Sequence, residues 1–214
     1  MADKLLIYNA TLILCGERKL ASLTEDREPR RLLDDVWSGG AVKTCLEAGF
    51  WNFAMRSLKI EYDPSLDPEF GFTRAFSKPS DWVRTSVVSP EEYFTTKYKA
   101  HQFADEAGYW WADVDTLYVK MVSDGANYGN NLGNWTEAFT RHVEIYLASR
   151  IVAKLTKSEK TEEKIEMKLK RSLASLSAKD AMNEGTSIPE EGSWNRSRRN
   201  WGRRDGGNRG QLIG

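Results

Sequence analysis

The stretch that decides the fold is NWTEAFTRHVEIYLASRIVAKL, residues 134–155. Phe139, Val143, Leu147, Ile151 and Leu155 recur every fourth residue, with Tyr146 beside them. That is the apolar stripe of an amphipathic helix. Asn134 with Glu137 three residues later is a variant of the capping box, which predicts the helix start at Asn134. Toward the C-terminus, Ser158 begins a second helix whose stripe is Ile165, Leu169, Leu173 and Leu176. Its other faces mix Lys and Glu, with Glu166 and Lys170 at i,i+4, the pattern of a solvated surface.

Toward the N-terminus the period changes between about Trp51 and Val122. Phe70, Phe72, Arg74 and Phe76 alternate with Gly71, Thr73 and Ala75, a strand pattern. Trp82–Val88 is a second candidate strand, and Leu117–Val122 a third. Asp105-Glu106-Ala107-Gly108 separates His101–Ala104 from Tyr109–Asp113 and predicts a hairpin. Pro64, Pro68, Pro79 and Pro90 punctuate the region. Further out, residues 3–14 read as a helix ending near Gly16. Glu28-Pro29 opens another, since Pro suits the first turn. Its apolar positions run from Leu32 to Leu46 across Gly39-Gly40. Each Gly costs roughly 1 kcal/mol against Ala in a helix interior. Either the helix breaks there or another chain approaches closely, which makes Gly39 and Gly40 candidate subunit contacts.

The expected architecture is α+β but mainly helical. An antiparallel helix bundle is built from residues 1–62 and 134–183, a strand-rich insertion occupies 63–133, and an extended basic arm occupies 184–214. The arm explains the charge. The whole chain carries 31 basic and 31 acidic residues and a net charge of zero. Residues 192–214 hold six Arg and one Asp, +5, which leaves 25 basic and 30 acidic residues in 1–191, −5. The zero excludes a protein that coats nucleic acid with its whole surface. It conceals an acidic body and a basic, Gly-rich arm.

The chain offers little sign of catalysis. Its two histidines, His101 and His142, and two cysteines, Cys15 and Cys45, have no metal-type spacing. No P-loop, dinucleotide fingerprint, nucleophile elbow or zincin motif occurs. No catalytic, metal or cofactor site is therefore expected. Asp113 and Asp115, flanked by Trp110, Trp111 and Tyr118, are the one carboxylate pair that suggests a hydrolase. No apolar run has the length of a membrane span, and the N-terminus lacks a cleavage signal, which points to synthesis in a cytosol. The arm, with Trp194, Arg196, Arg198, Arg199, Trp201, Arg203, Arg204 and Arg209, has two readings. Arg neutralises phosphates and Trp stacks on bases, as in nucleic-acid-binding tails. Trp and Arg are also the residues most enriched at protein interface hot spots.

Six runs carry a family resemblance: RKLASLTEDREPRR (18–31), EAGFWNFAMR (47–56), KPSDWVR (78–84), WWADVD (110–115), WTEAFTR (135–141) and KDAMN (179–183). Over about residues 5–200 the chain resembles the head-to-tail adaptors of tailed bacteriophages, also called tail tubular protein A or gatekeeper proteins. The resemblance implies a structural, non-enzymatic virion protein of the phage neck, made in the host cytoplasm. It implies a ring, usually of twelve copies, whose helical part faces the portal protein and whose β-rich part faces the nozzle or next tail protein. Genomic DNA would pass through the channel without sequence-specific binding and without any membrane. The basic arm would match the segment that extends onto portal subunits in relatives. An acidic body repeated around the channel would repel phosphates and let DNA slide.

Overall fold

The computed structural model describes residues 3–66, 71–94, 103–156 and 158–183. Residues 1–183 form one compact unit, and residues 184–214 lie outside the described residues. In chain order the first unit contains α1 (Lys4–Cys15), α2 (Glu28–Ser38), α3 (Ala41–Glu47), β1 (Met55–Glu61), β2 (Arg74–Ser77), β3 (Trp82–Ser89), β4 (Ala104–Glu106), β5 (Tyr109–Ala112), β6 (Thr116–Ser123), α4 (Glu137–Thr156) and α5 (Glu159–Asn183).

α1 turns Ile7, Tyr8, Thr11, Leu12 and Cys15 inward, at i, i+4 and i+8 spacing. Gly16 ends it with φ 79, and its N–H bonds the Ile13 carbonyl. The apolar run of residues 32–46 divides into α2 and α3. Gly40 takes φ 93 between them, a left-handed conformation that glycine adopts without strain. The glycine pair therefore has a requirement inside the chain: it breaks the helix. α4 buries Phe139, Val143, Leu147 and Ile151 as its period predicts. It starts at Glu137, and its cap is Thr136, whose Oγ1 accepts from the Phe139 N–H at 3.2 Å, instead of Asn134.

The six strands form two antiparallel sheets, ordered β1-β6-β3 and β2-β5-β4. The predicted hairpin is β4–β5, with Glu106 opposite Tyr109. Its two-residue turn has φ 49 at Ala107 and φ 86 at Gly108, the positive pair of a type I′ turn. Of the strand predicted over 70–76, Arg74–Ser77 forms β2, while Phe70 lies outside the described residues. His101 lies outside them too.

The mainly helical architecture is not what forms. Among the described residues there are five α-helices and two three-stranded sheets, at 47% helix and 21% strand, an α+β mix in which no helix bundle dominates. Two findings overturn the expectation. Met55–Glu61, read with the helices, is strand β1 and pairs with β6 along its whole length. And α1 runs in the same direction as α4: Thr11 Oγ1 bonds the Glu144 carbonyl and Cys15 Sγ lies against that of Ala148. The physical reason is that the sheets are no appendage. Ala54, Val83 and Val122 are buried in the same core as Leu12, Leu46, Phe139 and Leu147. The opposite side of β6 turns Leu117, Val119 and Met121 onto Phe76, Trp110 and Ala112 of the second sheet. β6 thus lies between two cores, which is why its burial is so high.

A chain of ring contacts ties the helical side together. Tyr8 meets Trp37 at 5.9 Å, Trp37 meets Trp135 at 6.3 Å, and Trp135 meets Phe139 at 5.0 Å. Trp51 and Phe53 close on Phe139 at 5.8 and 4.8 Å. Offset and edge-on pairs of this kind add about 0.5–1.5 kcal/mol each beyond the area they bury.

Candidate interaction surfaces

Three polar clusters fix the unit's joints. The first follows from Lys4 and Tyr8 standing one turn apart on α1. Both reach Asp34 of α2, at 3.2 Å from Lys4 Nζ and 2.9 Å from Tyr8 Oη, and Arg30 reaches the other oxygen at 2.5 Å. Burial pushes the Tyr8 phenol far up, helped by its bond to Asp34. Burial also works against the charge on Asp34, but the bonds from Tyr8 and Lys4 outweigh it, so its carboxyl lies below the usual range.

The second cluster sits where β3 begins. Asp81 accepts from Arg56 Nη1 at 2.6 Å on each oxygen, and from Ser123 Oγ at 2.5 Å. Its own carbonyl takes the Asp124 N–H at 3.0 Å. Asp81 thereby locks β1, β3 and the end of β6 together. Beside it, Gly129 is a close approach: a Cβ there would stand 2.5 Å from the Ser123 carbonyl and from Leu46 Cδ1. The Gly129 carbonyl accepts from Trp135 Nε1 at 2.7 Å.

The third cluster surrounds Thr85. Its Oγ1 accepts from Trp82 Nε1 at 3.1 Å and Trp110 Nε1 at 2.9 Å, and donates to Asp105 Oδ2 at 2.9 Å. That uses the full capacity of a hydroxyl. Lys78, its side chain 7% exposed, pairs with Asp105 and stands 3.7 Å from the Trp82 ring centroid.

Asp113 and Asp115 have structural partners. Asp113 accepts from Thr73 N–H and Oγ1 at 2.8 and 3.0 Å, and Asp115 pairs with Arg74 at 2.5 Å. His142 is buried between α4 and α5, with Nδ1 2.8 Å from Ser172 Oγ. That hydroxyl donates to the Leu169 carbonyl, so Nδ1 carries the proton it receives. Burial pulls the His142 pKa down. Cys15 and Cys45 are buried free thiols, pushed up by burial to about 11 and about 12. No group of three metal-ligating side chains occurs among the described residues, and no described helix is long and apolar enough to cross a membrane.

Two exposed surfaces remain. One is the uncovered part of the first sheet. Ser57 stands opposite Lys120, and Lys59 opposite Tyr118. Phe94 lies 4.7 Å from the Lys120 ammonium, and a shallow cavity of about 360 Å³ opens between Lys59, Phe94 and Tyr118. The other is a groove over α4, between α1 and α5. It encloses about 540 Å³ between Ala10, Ile13 and Leu14 of α1, Ile145 of α4, and Lys168 and Arg171 of α5. Ile13 on its α1 side is 55% exposed, and Leu6, elsewhere on α1, is 61% exposed. Leu6, Ala10 and Ile13 are spaced i, i+4, i+7, so they share one face of α1. The sequence held this signal, because α1 is apolar on more sides than one core contact requires.

The arm residues Trp194, Arg196, Arg198, Arg199, Trp201, Arg203, Arg204 and Arg209 lie outside the described residues. Gly39 and Gly40 stand at the α2–α3 break, where a Cβ on Gly39 would come 2.9 Å from the Asp35 carbonyl. No family model matches the chain, and no curated protein matches it.

Proposed function

We propose that this protein is a structural adaptor of a tailed-phage neck. In this reading it forms a ring beneath the portal, presents a platform to the next tail protein, and lets the genome pass through its centre. The observation that carries the reading is where the resembling runs fall. Residues 47–56 form the joint between α3 and β1, with Trp51 in the aromatic chain and Arg56 on Asp81. Residues 78–84 contribute Lys78, Asp81 and Trp82 to the polar clusters. Residues 110–115 form most of β5 and the anchors for Thr73 and Arg74. Residues 135–141 open α4. Four of the six runs thus hold the joints of the unit together, which is what an adaptor needs from its most characteristic residues. The unit also offers a helical groove and a sheet surface, both open for neighbours.

The arm is the portal-binding segment in this reading, with Trp194 and Trp201 as anchors among the arginines. Truncation before Gly192 is expected to leave a folded unit that no longer captures portal protein in a pull-down. Normal capture by the truncated chain would refute the arm's role. A second reading, a nucleic-acid-binding tail, is favoured by the +5 charge of residues 192–214. A gel shift separates the two: tight, salt-sensitive DNA binding by the full chain and none by the truncated one supports the second reading.

A further inference from the structure

The groove between α1 and α5 has two unlike walls. Ala10, Ile13 and Leu14 make the α1 wall apolar, and Ile145 of α4 extends that surface across the floor. Ala10 and Ser172 are the smallest side chains in the lining, and their size leaves the groove open. The α5 wall carries Lys168 and Arg171, and α4 adds Arg141. All three cations are exposed. Among the described residues none of them is in an ion pair. The one carboxylate in the lining is Glu144. Burial pushes its carboxyl above the usual range against the pull of Arg141, and Glu137 adds to the rise, so its negative charge is held less firmly than that of a surface carboxylate. The lining thus sets three cations against one carboxylate, beside an apolar surface. Its volume of about 540 Å³ is that of a small-molecule site, and such sites are mostly apolar with a few placed polar groups.

We propose that this groove binds a single-chain anionic amphiphile of the long-chain carboxylate class. The alkyl chain lies against Ala10, Ile13, Leu14 and Ile145, and the carboxylate is held from the α5 wall by Lys168 and Arg171. A guanidinium offers a carboxylate two parallel charge-assisted bonds, and an ammonium adds a compact point charge. The headgroup supplies the counter-charge that these side chains lack within the unit, and the chain takes Ile13, 55% exposed, out of water. An alkyl chain with a cationic head gains the apolar contact alone and meets three like charges. A free carboxylate without a chain gains only exposed ion pairs, which contribute little in water. The site goes beyond the adaptor reading above and does not depend on it.

Isothermal titration calorimetry of the full chain with dodecanoate, kept below its micellar concentration, tests the site. The expected result is saturable binding of one molecule per chain. Dodecanoate is expected to bind roughly tenfold more tightly than decanoate, since each methylene taken out of water contributes about fourfold. Dodecyltrimethylammonium, with the same chain and the opposite charge, is expected to bind about tenfold more weakly than dodecanoate, because the three cations repel it. Acetate is expected to show no binding. Ala10→Phe fills the groove and is expected to abolish the one-to-one binding. Lys168→Gln/Arg171→Gln keeps the apolar wall and is expected to weaken dodecanoate about tenfold without weakening dodecyltrimethylammonium. Helical circular dichroism with a thermal melt checks folding, and the exposed positions of the double variant keep the test available if Ala10→Phe does not fold. No saturable binding of dodecanoate, equal affinity for the two surfactants, or unchanged dodecanoate affinity in the double variant overturns the site. Unchanged binding by a folded Ala10→Phe chain puts the amphiphile elsewhere and overturns it as well.

Discussion

Replacing Asp81 with Asn is expected to destabilise the unit. Asp81 is 18% exposed in its side chain and serves two donors, Arg56 and Ser123. Ser123 is fully buried. An amide of the same shape keeps the packing but loses the charge. It leaves Arg56 with a weaker neutral acceptor and turns an NH2 group toward either Arg56 or Ser123. Losing one charge-assisted bond costs about 1.5–3 kcal/mol, and an ill-matched buried hydroxyl about 1–3 kcal/mol. Arg56, 34% exposed, regains part of its hydration, so the total is about 2–4 kcal/mol. For a unit of this size that corresponds to a fall in Tm of roughly 4–16 °C. Urea denaturation followed by circular dichroism measures it, and a double-mutant cycle with Arg56→Met assigns the share of the ion pair. The acid limb provides a second readout. Burial disfavours the Asp81 charge, but the Ser123 and Arg56 bonds outweigh it and hold the carboxyl below its usual range. The native state therefore binds fewer protons than the unfolded chain near pH 4. The stabilisation is fully present above the unfolded pKa of about 3.9 and is lost as pH falls through the lower native value. Asp81→Asn removes that dependence. A cost below about 0.5 kcal/mol, with an unchanged acid limb, would refute the view that this corner locks β1, β3 and β6.

Two further predictions concern the helical side. His142 is held neutral by burial between α4 and α5. Its contribution is complete above the unfolded pKa of about 6.5 and declines as pH falls below it, by at most about 1.4 kcal/mol per pH unit. Denaturation midpoints at pH 7.5 and 5.5 are expected to differ more for wild type than for His142→Gln, and equal differences would count against the burial argument. Gly129→Ala places a methyl 2.5 Å from the Ser123 carbonyl. The loop must then shift and weaken the Trp135 bond, at a cost of about 1–3 kcal/mol, visible as a lower Tm and a changed indole near-ultraviolet signal; an unaltered melt would show that the loop gives way freely.

What the sequence by itself determined follows from local rules. The four-residue period of Phe139–Leu155 selects the inner face of α4, because residues one turn apart stack on one side. The turn residues of Asp105–Gly108 predict a hairpin there, and the structure narrows the turn to Ala107-Gly108, with Asp105 and Glu106 paired in β4. The split of charge between residues 1–191 and 192–214 is arithmetic. Tertiary structure decided the rest. Met55–Glu61 has weak alternation, since Arg56 on its inward side is apolar only in its stem and is matched by Asp81, 25 residues away. No local window contains that partner. The parallel course of α1 and α4 depends on contacts between Thr11 and Glu144, 133 residues apart. The same holds for the groove. Its lining comes from three helices, so the surplus apolar residues of α1 are visible in the sequence but the elements they face are not. Only their packing sets the uncovered Ile13 beside Lys168 and Arg171.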